Sequence, residues 1–227
     1  MDDINFRPWV GEKYLTTGFQ GKRILVLGES HYCKVQLAEN GRCYPYCRRM
    51  NMDESCLNQT IRVVDNVVYH YKRHPYQKTF LCFERAVVGK ELKEKEREDF
   101  WQSVMFYNYI QHSQKEPRRP PSAEHWEKSE KAFVEVLETY MPDCIIVWGV
   151  RLFKSLPKLG GKKYNLPIKA KVPATYRLYT IDGKQIPALQ IYHPSAGFSW
   201  KEWHDVIDCF FQNIVHSGNE VKRLEEN

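Results

Sequence analysis

Two short stretches, far apart in the chain, carry side chains suited to moving protons. GESHY, residues 28 to 32, follows the aliphatic run Ile24 to Leu27, and HPS, residues 193 to 195, follows ALQIY. In the first, Glu29, Ser30, His31 and Tyr32 offer a carboxylate, a hydroxyl, an imidazole and a phenol directly after Gly28. A carboxylate or imidazole held near a reacting atom can act as a general acid or base. A hydroxyl such as that of Ser30 needs an adjacent base before it can attack. In the second stretch Pro194 holds His193 extended. Asn108 stands inside the aromatic run VMFYNYI. An amide buried in such a strand must find hydrogen-bond partners. Each residue also has a purely structural reading. Gly28 is a tight turn, His193 a core histidine with a backbone partner, Asn108 an amide bonded to a nearby loop, and Ser195 a helix cap.

These groups need strands that end at one place. Residues 24 to 28, 104 to 110, 144 to 149 and 188 to 193 are continuous apolar runs without helical period, two of them closing on glycine. Such runs are strands buried on both faces. Between them lie amphipathic stretches. One starts at Asp53 or Ser55 and runs to about Lys72, with Ile61, Val64, Val67, Val68 and Tyr71 on one side. A second follows Pro75, with Phe80, Phe83 and Val87. Ser122 caps a long helix bearing Trp126, Phe133, Val136, Leu137 and Tyr140, and the last helix carries Trp200, Trp203, Ile207, Phe210, Phe211 and Ile214. Asp182-Gly183 marks a hairpin. Strands alternating with helices predict an α/β fold, a three-layer α/β/α sandwich around a central, mostly parallel four-stranded sheet. Ligands of such sheets sit at the carboxyl ends of the strands, where GESHY, Asn108 and HPS should meet. One domain over residues 1 to 217 is expected, with 218 to 227 a frayed tail.

The 227 residues suffice for a sizeable core. No apolar run approaches the roughly 20 residues of a membrane helix, and the first residues lack a signal-peptide pattern; a cytoplasmic protein is expected. The net charge of +6 permits a polyanionic partner without demanding one. Seven cysteines, an odd number without an export signal, read as reduced thiols. Cys33, Cys43, Cys47 and Cys56 cluster near His31, but only Cys43 and Cys47 have tight zinc-type spacing. Ordinary thiols and a zinc site are the two readings. No cofactor is expected.

Taken together and in this order, the motifs resemble the uracil-DNA glycosylase superfamily, from about residue 21 to 215. Gly28-Glu29-Ser30-His31-Tyr32 matches the motif ending that family's first strand, MFYNYI its base-reading strand, and His193-Pro194-Ser195 its closing motif. The resemblance implies hydrolysis of the N-glycosidic bond of uracil or a related damaged base flipped out of DNA. It makes Tyr44 the stacking platform, Asn108 the reader of the base edge, Tyr32 the residue excluding thymine, and His193 the donor to the departing base. Phe198 or Trp200 would be the wedge that fills the vacated stack. The family's water-positioning aspartate falls at Ser30, leaving Glu29 or His31 to take that role. Arg118 and Arg119 in KEPRRPP are candidate phosphate contacts, with Lys158, Lys162 and Lys163 next. Two other readings stand beside this one: a nucleic-acid or nucleotide-binding module of the same fold, and a GDSL-like esterase using Ser30 as nucleophile.

Overall fold

A computed structural model describes residues 4–32, 54–114, 119–195 and 197–215. Its centre is a seven-stranded mixed sheet. The strands are β1 (Trp9–Val10), β2 (Ile24–Gly28), β3 (Met105–Asn108), β4 (Cys144–Trp148), β5 (Lys162–Asn165), β6 (Thr175–Ile181) and β7 (Lys184–Ile191). They lie in the order β1-β3-β2-β4-β7-β6-β5. The pairs β2/β3, β2/β4 and β4/β7 are parallel. At the edges β1 pairs with β3, and β5 and β6 follow β7, all antiparallel. The protein is therefore α/β, and the expected sheet of four strands is a sheet of seven whose parallel centre is formed by those four.

The helices among the described residues are α1 (Glu54–Leu57), α2 (Gln59–Val68), α3 (Pro75–Val88), α4 (Glu94–Trp101), α5 (Ala123–Lys128), α6 (Glu130–Tyr140), α7 (Val150–Ser155) and α8 (Trp200–Phe210). The last continues into a π-helical turn, Phe211–Val215. The stretch expected to run as one helix to Lys72 stops at Val68, and the one capped by Ser122 breaks at Ser129. Ser122 does cap α5, its hydroxyl accepting from the His125 amide at 3.2 Å. No helix among the described residues is long and apolar enough to cross a membrane.

The central strands bury both faces, which is why their sequences are unbroken aliphatic runs. Alternate residues feed two separate clusters. Ile24, Val26, Phe106, Ile146, Trp148, Leu189 and Ile191 join residues of α2, α3, α4 and α8. Leu25, Leu27, Met105, Tyr107, Ile145, Val147 and Ala188 join residues of α6 and α7. Asp182 and Gly183, at φ 46° and 76°, turn the β6/β7 hairpin.

The parallel strands run, in chain order, 2-1-3-4 across the sheet. The order reverses at β2, flanked by β3 on one side and β4 on the other. The crevice at the carboxyl end of such a switch point is where doubly wound sheets bind ligands, and β2 ends there in Gly28, with Glu29 next in the chain.

Candidate functional site

Gly28 lies opposite Asn108 in the β2/β3 ladder. Its φ is not in the left-handed region, so a turn does not require the glycine; the neighbouring side chain does. A Cβ at position 28 would overlap Oδ1 of Asn108 and come within 3.0 Å of the Phe106 ring. After the strands end, the two chains stay zipped. Tyr109 and Ile110 donate to the carbonyls of Gly28 and Glu29, and Gln114 donates to that of His31. GESHY is thus bound to the segment that follows Asn108.

His31 turns inward. It is 5 % exposed. Its Nε2 lies 2.8 Å from the Thr60 hydroxyl of α2, and Phe6 meets the ring edge-on at 4.9 Å. The Asn108 amide nitrogen donates to the imidazole, 3.0 Å from Nε2 and 3.3 Å from Nδ1. Burial, reinforced by Arg62, pushes the pKa of His31 down to about 3, so the ring is neutral at ordinary pH. Gln111 locks the same region: its amide donates to the Asn108 carbonyl and its Oε1 accepts from the amides of Asn5 and Phe6. His31 thus orients Asn108 from within and does not face the crevice as a free base.

Glu29 is held by a cation absent from the sequence reading. Arg151, in the first turn of α7, grips the carboxylate with two nitrogens, Nε at 2.8 Å and a terminal nitrogen at 2.5 Å. This is the forked geometry that guanidinium and carboxylate share. Ser30 Oγ lies 3.4 Å from the Tyr32 hydroxyl, and Tyr32 is exposed.

His193 leaves β7 beside Gly149, which has φ 107°; a Cβ on that glycine would touch His193 Cβ at 3.7 Å. Trp148 stands edge-on to the imidazole at 6.0 Å. Both the hydroxyl and the backbone N–H of Ser195 approach Nδ1, at 2.7 and 3.3 Å. An N–H can donate only to an unprotonated ring nitrogen, so Nδ1 is the bare one and Nε2 carries the proton. The ring keeps an edge open to solvent. Partial burial nonetheless lowers its pKa below the usual 6.5; Glu29 pulls it back up and Arg151 pushes it down. The imidazole at 193 and the first-strand turn therefore belong to one electrostatic neighbourhood.

Other expected site residues lie elsewhere or outside the described residues. Phe198 stacks flat on Trp203 at 5.9 Å and packs against the core. Trp200, its neighbour, carries Arg85 on its face at 4.1 Å. Arg119 is exposed. Tyr44, Arg118, Cys33, Cys43 and Cys47 lie outside the described residues, while Cys56 is half-buried and not in a disulfide. Among the described residues no three histidine, cysteine or acidic side chains are grouped to hold a metal.

Arg151, Thr60 and Gln111 were missed by sequence reasoning. Arg151 had one available signal: WGVR places a cation two residues past the glycine that ends a central strand, a position at the ligand-binding edge. Thr60 and Gln111 had none. No protein-family model matches the chain, and no curated protein is significantly similar to it.

Proposed function

We propose that the protein is a DNA glycosylase-like hydrolase of three-layer α/β/α architecture, acting on uracil or a related damaged base swung out of the strand. The observation carrying this reading is the pair of Ser195 donors on Nδ1 of His193. They leave a neutral imidazole with its Nε2 proton free to donate at the carboxyl edge of the sheet. In hydrolysis, water adds to the anomeric carbon, the N-glycosidic bond breaks, and its electron pair departs on the base. A neutral imidazole donor to the base oxygen stabilises that anion without first giving up a proton. Asn108, oriented by His31, is the amide for the base edge, and Ser30 and Glu29 are the groups available to the water. Exposed Tyr32 is suited to discriminating uracil from thymine.

A second reading, a nucleic-acid-binding module of the same fold, is favoured by the Glu29–Arg151 pair. A carboxylate gripped at both oxygens is a poor base. The esterase reading has less support, because the described hydrogen bond of Ser30 Oγ goes to Tyr32 and not to a histidine.

Single-turnover excision from a uracil-containing oligonucleotide, measured beside binding to the same strand, separates the readings. A glycosylase yields abasic product, and His193→Ala slows the bond-breaking step by about 10²–10³-fold. Binding with no product, at any enzyme excess, favours the module.

A further inference from the structure

Between α2 and α3 the chain reads YHYKRHPYQK, residues 69 to 78, and this turn has an unusual surface. Every residue from Tyr69 to Tyr76 is exposed, as is Lys78. Three of the six exposed large hydrophobic side chains among the described residues are here: Tyr69 at 47 %, Tyr71 at 38 % and Tyr76 at 40 %. Lys72, Arg73 and Lys78 accompany them, and no acidic residue occurs between Asp65 and Glu84. Among the described residues, none of these three cations has a carboxylate within ion-pair distance.

The turn is held in shape from beneath. Gln77 is fully buried, and its side chain makes four hydrogen bonds to backbone. Oε1 accepts from the amides of Lys72 and His74, each at 3.0 Å, and the amide nitrogen donates to the carbonyls of Asn66 at 2.6 Å and His70 at 3.3 Å. Arg73 sits at φ 57°, a conformation that costs free energy for a non-glycine residue and persists where its surroundings impose it. His74 and Tyr76 lie face to face, 6.0 Å apart and 10° from parallel. Gln102 holds the Tyr69 hydroxyl at 2.7 Å. Arg97 lies over one face of the Tyr71 ring, 5.6 Å from its centroid, and Tyr71 is still 38 % exposed. The turn therefore offers positioned aromatic rings, interleaved with cations that no described carboxylate neutralises.

We propose that this turn binds single-stranded nucleic acid, with bases stacking on Tyr71 and on the Tyr76–His74 platform and phosphates meeting Lys72, Arg73 and Lys78. Free bases expose flat π-faces that stack on tyrosine regardless of sequence, and a basic surface tracks their backbone. The surface is distinct from the crevice at the sheet's carboxyl edge. α2 touches His31 through Thr60 in its first turn and delivers the chain to Tyr69 at its other end, about 15 Å away for a ten-residue helix. The proposal does not depend on the glycosylase reading.

Fluorescence anisotropy with labelled dT15 and a 15-base-pair duplex, over a series of salt concentrations, tests it. The full chain should bind dT15 more tightly than the duplex. Tyr71→Ala with Tyr76→Ala should weaken dT15 binding at least tenfold, while Tyr71→Phe with Tyr76→Phe, which keeps the rings, should leave it within about twofold. Lys72→Glu with Arg73→Glu should lower the salt slope by about 1.4, at roughly 0.7 for each phosphate no longer neutralised. Lys131→Glu, on the exposed side of α6 across the sheet, should leave dT15 binding unchanged. The proposal is overturned by absence of dT15 binding at low salt or by equal affinity for the duplex. It is also overturned if dT15 affinity survives the alanine pair, or if Lys131→Glu weakens it as much as that pair does. Competition by a poly-glutamate peptide as effective as unlabelled dT15 would assign the turn to an acidic protein and refute it as well.

Discussion

The backbone amide and the hydroxyl of Ser195 converge on the same nitrogen of His193, Nδ1, so one residue sets the tautomer of the imidazole at the sheet's edge. Removing the hydroxyl in Ser195→Ala leaves the amide in place. The expected outcome is a loss of about 1 kcal/mol of orientation, seen as roughly a fivefold slower bond-breaking step if the protein excises bases. The nitrogen-15 spectrum should still report a proton on Nε2. A ring proton found on Nδ1 in the wild type would remove the basis of the proposed role.

Asn108 and Gly28 are coupled through space, not through a turn. Gly28→Ala places a methyl group on the Asn108 carboxamide oxygen, and the amide must leave His31 to make room. Overpacking of this kind costs about 1–3 kcal/mol, readable as a lower urea midpoint. Asn108→Ala in the same chain removes the obstacle, so the double variant should be less destabilised than the sum of the two single ones. Strict additivity in that cycle would show that the two side chains do not meet.

The parallel centre of the fold was legible because burial on both faces leaves unbroken aliphatic runs such as ILVL and CIIVW. The edges were not. β1 is two residues long, and all four residues of β5, KKYN, are exposed, so neither carries an apolar pattern. The break between α5 and α6 was invisible because its cause is tertiary: Ser129 Oγ donates to the His125 carbonyl and accepts from the Gln111 amide. At the site, HPS was readable as a local unit, since Ser195 acts on a histidine two residues away. The direction of His31 was not, because it depends on Thr60 and Asn108, 29 and 77 residues distant.

Acid should destabilise the protein through His31. In the unfolded chain this histidine takes a proton near 6.5, and in the fold only near about 3. Across that window the unfolded state binds more protons, so stability is full above pH 6.5 and falls as pH drops toward 3. The integrated loss is on the order of 5 kcal/mol. His112 and His125, stacked 4.9 Å apart and also lowered chiefly by burial, act in the same direction. Urea titrations at about pH 7 and about pH 4 should therefore show a midpoint drop that His31→Asn reduces but does not abolish. An equal drop in wild type and variant would mean that His31 is protonated in the fold.

Arg151 and Glu29 act on His193 with opposite signs, and this gives the site its most direct electrostatic test. Arg151 disfavours the imidazolium while Glu29 favours it, and each is partly neutralised by the other through the forked ion pair. Arg151→Ala removes the repulsion and leaves Glu29 uncompensated, so the His193 pKa should rise. Glu29→Gln does the reverse, and the pKa should fall. Both shifts can be followed by nuclear magnetic resonance titration of the His193 ring with no assumption about substrate. In an excision assay, Arg151→Ala should move the acid limb of the rate profile to higher pH, because less of the imidazole stays neutral. It also frees the Glu29 carboxylate to accept a proton from water, so above that limb the rate should hold or rise. A variant whose His193 titrates as in the wild type would place the ion pair outside the electrostatic reach of the imidazole, and the shared site would then have to be abandoned.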